Sequence, residues 1–123
     1  MESQGQMQQY QAVSKLYKEI VDALTTLEYG QMKLYLSNLA KRVQQKEEAV
    51  LQEYSSVKEL LNSLKEAKGK VALHFACAKG DPAVVQHLIE GLGVDFRVKD
   101  KEGNIPFFTA IEHGHLELVR YFV

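Results

Sequence analysis

Apolar residues fall at Tyr10, Val13, Tyr17, Ile20, Leu24 and Leu27, in alternating steps of three and four. That spacing lines one face of a helix, and it predicts a helix over residues 6–28 that presents a single seam to a partner. Gly30 follows, where a glycine can take the left-handed conformation that stops a helix. A second stripe runs through Leu36, Val43, Val50, Val57 and Leu64, with Ala40, Tyr54 and Leu61 filling the alternate seam and Glu47 interrupting it. Two helices joined by so short a turn fold back antiparallel. If continuous over residues 31–68, the second helix reaches ~57 Å against ~35 Å for the first, at about 1.5 Å per residue. Its far end then packs on whatever follows, or the run breaks at "YSSVKE", where Ser56 and Glu59 have capping-box spacing. A break there is expected, and the polar run "QQKEEA" at residues 44–49 reads as a solvated face.

The pattern changes near "KEAKGK", at residues 65–70, which places a boundary between Lys68 and Gly69. Six of the eight glycines and both prolines lie beyond it, so turns become frequent. Two stretches there repeat at an offset of 34 residues, matching Ala76 with Ala110, Gly80 with Gly114 and Val85 with Val119. In the first copy, Leu73 to Lys79 reads as a helix ended by Gly80. Asp81 then caps the next helix, and Pro82 takes its first position, where a missing N–H costs nothing. Val84, Val85, Leu88 and Ile89 supply its buried face. Alternating Val94, Phe96 and Val98 lead into a Lys-Glu-Gly turn. The second copy starts its helix at Pro106, breaks at Gly114 and carries Leu116, Val119 and Phe122 inward. A short helix, a glycine, a second helix and a projecting loop, repeated every 33 to 34 residues, describe stacked repeats.

Residues 69–123 resemble two ankyrin repeats, with the pattern Gly-x-Thr-Pro-Leu-His-x-Ala-Ala-x-x-Gly-x-x-x-x-Val-x-x-Leu-Leu. Leu73, His74, Ala76, Gly80, Val85, Leu88, Ile89, Gly93 and Asp95 fit it in the first copy. Gly103, Pro106, Ala110, Gly114, His115, Leu116, Glu117 and Val119 fit it in the second. Val71 and Ile105 stand where the family has a capping Thr, Ala72 replaces its Pro and Phe108 its His, so the hydrogen bonds at the helix starts are incomplete. "IEGLGVD" holds one residue more than the usual turn. The expected fold is all-α: a helical hairpin or three-helix bundle over residues 1–68, repeat 1 over 69–102 and an incomplete repeat 2 over 103–123. The family pattern continues past Val123, and a solenoid normally ends in a polar cap, so a fragment of a longer repeat protein is expected.

Composition narrows the function. Fifteen basic and sixteen acidic residues leave a net charge of −1, which argues against nucleic acid or an anionic membrane as partner. The single cysteine, Cys77, cannot form an intrachain disulfide, and an intracellular, cytoplasmic setting is the simpler expectation. No window approaches the roughly 18 apolar residues of a membrane span. His74 and Cys77 lie one helical turn apart, but they occupy the family's structural His and small buried Ala positions, so a hydrogen-bonded His and a packed Cys are expected rather than a metal pair or a nucleophile. "HGH" at His113 and His115 reads the same way, and His87 is expected on an outward face. Glu102, Glu112 and Glu117 have no visible acid–base partner. No phosphate-binding loop, dinucleotide fingerprint or nucleophile elbow is present in the sequence. No catalysis, cofactor or metal is expected.

Surface recognition remains. The ankyrin resemblance implies partner contacts from Lys68, Lys70, Ala78 and Lys79 in the first repeat, and from Lys99, Lys101, Glu102, Asn104, Glu112 and His113 in the second. The lysines among them either favour an acidic protein partner or simply keep the surface soluble. The expected function is a protein-interaction module whose N-terminal helices cap the solenoid. The alternative is a scaffold in which residues 1–68 self-associate through their heptad seams.

Overall fold

The computed structural model describes residues 3–46 and 48–123. Among them the chain forms seven α-helices: α1 (Ser3–Thr26), α2 (Tyr29–Gln45), α3 (Val57–Ser63), α4 (Ala72–Lys79), α5 (Pro82–Gln86), α6 (Pro106–Glu112) and α7 (Leu116–Phe122). A short 3-10 turn (Ala49–Leu51) separates α2 from α3, and α5 runs directly into a π turn (His87–Gly91).

Helix α1 buries Leu16, Ile20, Ala23 and Leu24, with Val13, Tyr17 and Leu27 along the margin of the seam. Tyr10, at 72% exposure, lies outside it. The reversal into α2 occurs at Leu27 and Glu28, not at Gly30. Glu28 is extended, at φ −69 and ψ 161, so the chain turns without a left-handed residue and Gly30 falls inside the first turn of α2. Glu19 in the middle of α1 then meets α2: the Tyr35 hydroxyl donates to its Oε2 at 2.5 Å and Arg42 Nη1 at 2.8 Å.

The second helical run breaks at "YSSVKE" as expected, but an earlier break precedes it. Helix α2 ends at Gln45, and Lys46 takes the left-handed conformation at φ 54. The guanidinium of Arg42 holds the following chain by donating from Nε and Nη2 to the two oxygens of Glu48, at 3.0 and 3.1 Å. Gln44 and Gln45 close α2, and with Lys46, Glu48 and Ala49 beyond it they are exposed, the solvated polar run that "QQKEEA" predicts. The interruption expected at Glu47 lies outside the described residues. Ser56 caps α3, its hydroxyl accepting the Glu59 N–H at 3.1 Å, while the Glu59 carboxylate reaches back to Ser55 rather than Ser56. Leu36, Val43, Val57, Leu61 and Leu64 are buried, as the stripe predicts, but on separate elements; Met32, Leu39, Leu51 and Leu60 join them.

In the repeats, Gly80 adopts φ 84 to end α4, and the Asp81 carboxylate accepts the Ala83 N–H at 3.0 Å to start α5 beside Pro82. Val84, Val85 and Leu88 are buried, and Ile89 is half-buried. Repeat 2 differs from expectation at α7. Leu116 is 70% exposed and Leu118 is fully buried in its place, because His115 sits at the cap and Leu118, three residues after it, occupies the place of Val84 at the offset of 34. Helix α4 packs against both α1 and α6, and α2 lies against α5. One apolar cluster runs from Leu16 to Leu118 and includes Val57, Leu60, Leu61 and Leu64 of α3 and its C-terminal end.

Candidate protein-binding surface

Two turns with the same hydrogen-bond plan precede α4 and α6, the first and inner helix of each repeat. In the first, Glu66 N–H donates to the Lys70 carbonyl at 3.1 Å, Gly69 N–H to the Glu66 carbonyl at 2.9 Å, and Lys70 N–H to Glu66 Oε1 at 3.0 Å. In the second, Asp100 N–H donates to the Asn104 carbonyl at 3.0 Å and Gly103 N–H to the Asp100 carbonyl at 3.0 Å, while Asp100 Oδ1 accepts Glu102 N–H and Asn104 N–H, both at 2.9 Å. Gly69 and Gly103 supply the left-handed residue, at φ 80 and φ 84. Lys101 N–H donates to the Lys68 carbonyl at 2.9 Å and ties the tips together. The backbone N–H of Asn104 holds the Asp100 carboxyl below the usual carboxylate range, helped by the N–H of Glu102 and by His74 and Lys70 nearby, against a smaller opposing effect of desolvation.

His74 anchors this frame from below. It is buried, its Nδ1 accepts the Val71 N–H at 3.2 Å, and its Nε2–H donates to the Asn104 carbonyl at 3.0 Å. The imidazole thus holds the Val71 N–H at the start of α4, while the His74 N–H, which a capping threonine hydroxyl would accept, goes to the Val71 carbonyl at 3.1 Å. His115 performs a parallel task at the other end of the inner helices, donating from Nε2 to the Ala78 carbonyl at 2.7 Å. A Cβ on Gly80 would stand 2.4 Å from that ring. His113 donates from Nδ1 to the Thr109 carbonyl at 2.9 Å and stacks on His115.

The ten residues singled out by the resemblance fall into two groups along the inner helices. Lys68, Lys99, Lys101 and Glu102 are exposed at or beside the turn tips; Lys70 and Asn104 are half-buried, with their backbone groups holding the turns. Ala78, half-buried, and Lys79, exposed, end α4, while exposed Glu112 and His113 end α6. Helix α1 borders both groups: the Tyr17 hydroxyl donates to the Lys70 carbonyl at 2.7 Å, and Lys79 Nζ donates to the Leu27 carbonyl at 3.0 Å. Lys79 is therefore spent on the carbonyl end of α1, where a cation is favoured. Glu66 and Asp100, which hold the turns, are absent from the residues the sequence pointed to, and Tyr17, which joins α1 to them, was read only as part of the seam of the first helix. The shared signal was legible: each carboxylate precedes its turn glycine by three positions.

Burial pushes the Cys77 thiol up to about 12, so it stays protonated and packs as a small apolar group. His87 is half-buried against Tyr29 of α2 rather than facing outward, and that burial, with Lys33 nearby, lowers its pKa. Among the described residues no three His, Cys, Asp or Glu side chains are grouped to share a metal ion, and no helix is long and apolar enough to cross a membrane.

Comparison with known proteins agrees with this architecture. The mouse liver-isoform mitochondrial glutaminase is 45% identical over 56 residues, covering 46% of this chain and 9% of that protein. The Drosophila melanogaster nuclear factor NF-kappa-B p110 subunit is 33% identical over 70 residues, covering 57% of this chain and 7% of that protein. The chain thus spans less than a tenth of the length of these relatives. A chain in the crystal structure of the yeast ribosomal protein Rps3 in complex with its chaperone Yar1 shares the fold, with a TM-score of 0.55 at 22% identity, over 76% of this chain and 55% of that one. The family model for ankyrin repeats (3 copies) matches residues 47–123. That match covers more than half of the sequence and includes both helix–turn–helix units and the His74 bridge, and so the chain belongs to the ankyrin repeat family.

Proposed function

We propose that the chain is a protein-binding module that recognises an acidic partner protein through its turn tips and the ends of its inner helices, with α1 and α2 capping the solenoid. The observation that carries this reading is the locked pair of turns. Lys101 N–H bonds the Lys68 carbonyl and His74 bonds the Asn104 carbonyl, so the exposed ammonium groups of Lys68, Lys99 and Lys101 project from a rigid frame. None of the three has a carboxylate partner among the described residues. A preorganised cationic edge lowers the ordering cost of binding and steers an anionic partner. The solved neighbour, from a complex of a ribosomal protein with its chaperone, supports a protein as the class of partner. The role is a non-catalytic one in an intracellular setting, consistent with a buried, protonated Cys77. Self-association through residues 1–68 draws less support, because Ile20, Leu24, Leu36 and Val43 are buried within the chain's own core.

The test is affinity capture from a cell lysate with the full chain. Lys99→Glu combined with Lys101→Glu is expected to weaken capture of the specific partner about tenfold or more, or about 1.4 kcal/mol. Rising salt weakens it too, since exposed charges are screened over about 8 Å at physiological ionic strength. Gln86→Glu, on the exposed side of α5, leaves capture unchanged. Equal capture by all three proteins removes the turn tips from the reading.

A further inference from the structure

The extra residue in "IEGLGVD" has a structural outcome that the turn-tip surface does not use. Helix α5 opens into the π turn His87–Gly91, in which Leu92 N–H reaches the His87 carbonyl at 3.1 Å. Gly93 follows at φ 73, and its N–H bonds the Ile89 carbonyl at 3.1 Å. Single π turns insert one residue into a helix and occur often at functional sites. Here the insertion carries the next loop against α3. Asp95 N–H donates to Asn62 Oδ1 at 2.8 Å, and the stem of Lys58 lies 3.5 Å from where a Cβ on Gly93 would stand.

The space left between α3 and this loop is a groove of about 490 Å³ that includes none of the turn-tip residues in its lining. Ile89, Val94 and Phe96 give it an apolar floor, and Lys58 and Arg97 line its polar edge. The groove continues past Ile89 and Phe96 into a second chamber of about 230 Å³ that ends at Glu90 and Tyr121. The charges are unequal along its length. Lys58 and Arg97 have no acidic partner among the described residues, and the Arg97 guanidinium is held 5.3 Å above the Phe96 ring. Asp95, the single carboxylate of the first chamber, turns back on its own loop to accept the Arg97 N–H at 2.8 Å.

We propose that this groove is a second docking site, for an extended acidic peptide that inserts an apolar side chain between Ile89 and Phe96 and sets carboxylates against Lys58 and Arg97. The unpaired cations select the acidic end, the apolar floor selects the inserted side chain, and Glu90 at the far end repels a carboxylate there and so fixes direction. The site is independent of the turn-tip reading, since it shares no residue with it.

The probe is a fluorescein-labelled peptide, Glu-Asp-Glu-Leu-Phe-Gly-Ser, titrated into the full chain by fluorescence anisotropy and followed by amide NMR. The expected result is saturable binding with shifts at Gly93, Asp95 and Arg97. Replacing Leu-Phe with Gly-Ser at unchanged charge weakens it at least about tenfold, as does Lys58→Glu with Arg97→Glu. Both substituted residues are exposed, and circular dichroism checks that the variant folds. Lys15→Glu with Lys18→Glu, an equal change in net charge on exposed positions of α1, leaves binding unchanged. Absence of binding, shifts confined to the turn tips, equal losses from both charge pairs, or a concentration-dependent dimer that occupies the groove would each overturn the proposal.

Discussion

Gly80 shows how much one position decides. Its backbone is left-handed, at φ 84, and the ring of His115 occupies the place of a Cβ. Gly80→Ala is expected to cost about 1 to 2 kcal/mol from the backbone alone, and more from displacing His115 from the Ala78 carbonyl; urea unfolding measures it. Gly103, also left-handed but open around its Cβ, supplies the comparison: Gly103→Ala meets the backbone cost only, so an equal loss at both positions would show that the His115 contact contributes nothing. Asp100 sets a pH dependence. Its carboxyl is depressed in the folded chain by the N–H groups of Asn104 and Glu102, so the folded state binds this proton less readily than the unfolded state. The stability it contributes is present above the unfolded carboxylate range, near pH 4 (~3.9), and is lost as pH falls through the folded value. Asp100→Asn, which keeps an acceptor oxygen, should flatten the acid limb of a stability–pH profile, and an unchanged slope would contradict this.

At the scale of elements, α3 is the most informative. Ser56 starts it with a side-chain cap, and Val57, Leu60 and Leu61 bury its inner face in the shared core. Ser56→Ala is expected to lose about 1 kcal/mol, and Leu61→Asp several kcal/mol because a carboxylate is forced into an apolar site. If Leu61→Asp left the thermal midpoint unchanged with helicity intact, α3 would not be supporting the repeats. The heptad spacing across residues 36–64 was legible in the sequence, and so was the cap at Ser56. The break at Lys46 was not. It rests on a lysine in left-handed conformation and on Arg42 clasping Glu48, and neither leaves a glycine, proline or cap residue to read. Gly30 misled for the converse reason: a residue able to stop a helix need not do so when an extended Glu28 has already turned the chain.

At the scale of the molecule, α4 packs against both α1 and α6, so α1 joins the N-terminal helices to the repeats. Since one apolar cluster extends from Leu16 to Leu118, heat and urea are expected to unfold the chain in one cooperative step, with far-ultraviolet dichroism and tyrosine fluorescence coinciding. Two separated transitions would show that residues 1–68 and 69–123 fold independently. Tyr17→Phe removes the hydroxyl bond to Lys70 at this junction and is expected to cost about 1 kcal/mol while leaving the helices in place.

The sequence by itself determined the helical class, the repeat unit and the buried stripe of the first repeat. These depend on local geometry: a period near 3.6, a glycine where the chain must turn left-handed, and Asp or Ser ahead of a helix. The resemblance to ankyrin repeats also marked His74 and Cys77 as structural, since they fall at the family's structural His and small buried Ala positions. Only the tertiary structure decided which lysines stay free. Lys79 is taken by the Leu27 carbonyl and the Lys70 backbone by Tyr17, both from a helix more than forty residues upstream. It also decided that Leu118 rather than Leu116 enters the core, and that the extra residue after Ile89 becomes a π turn beside a groove. Contacts between segments far apart in sequence carry no periodic signature, so which polar group each side chain meets is settled only when the helices pack.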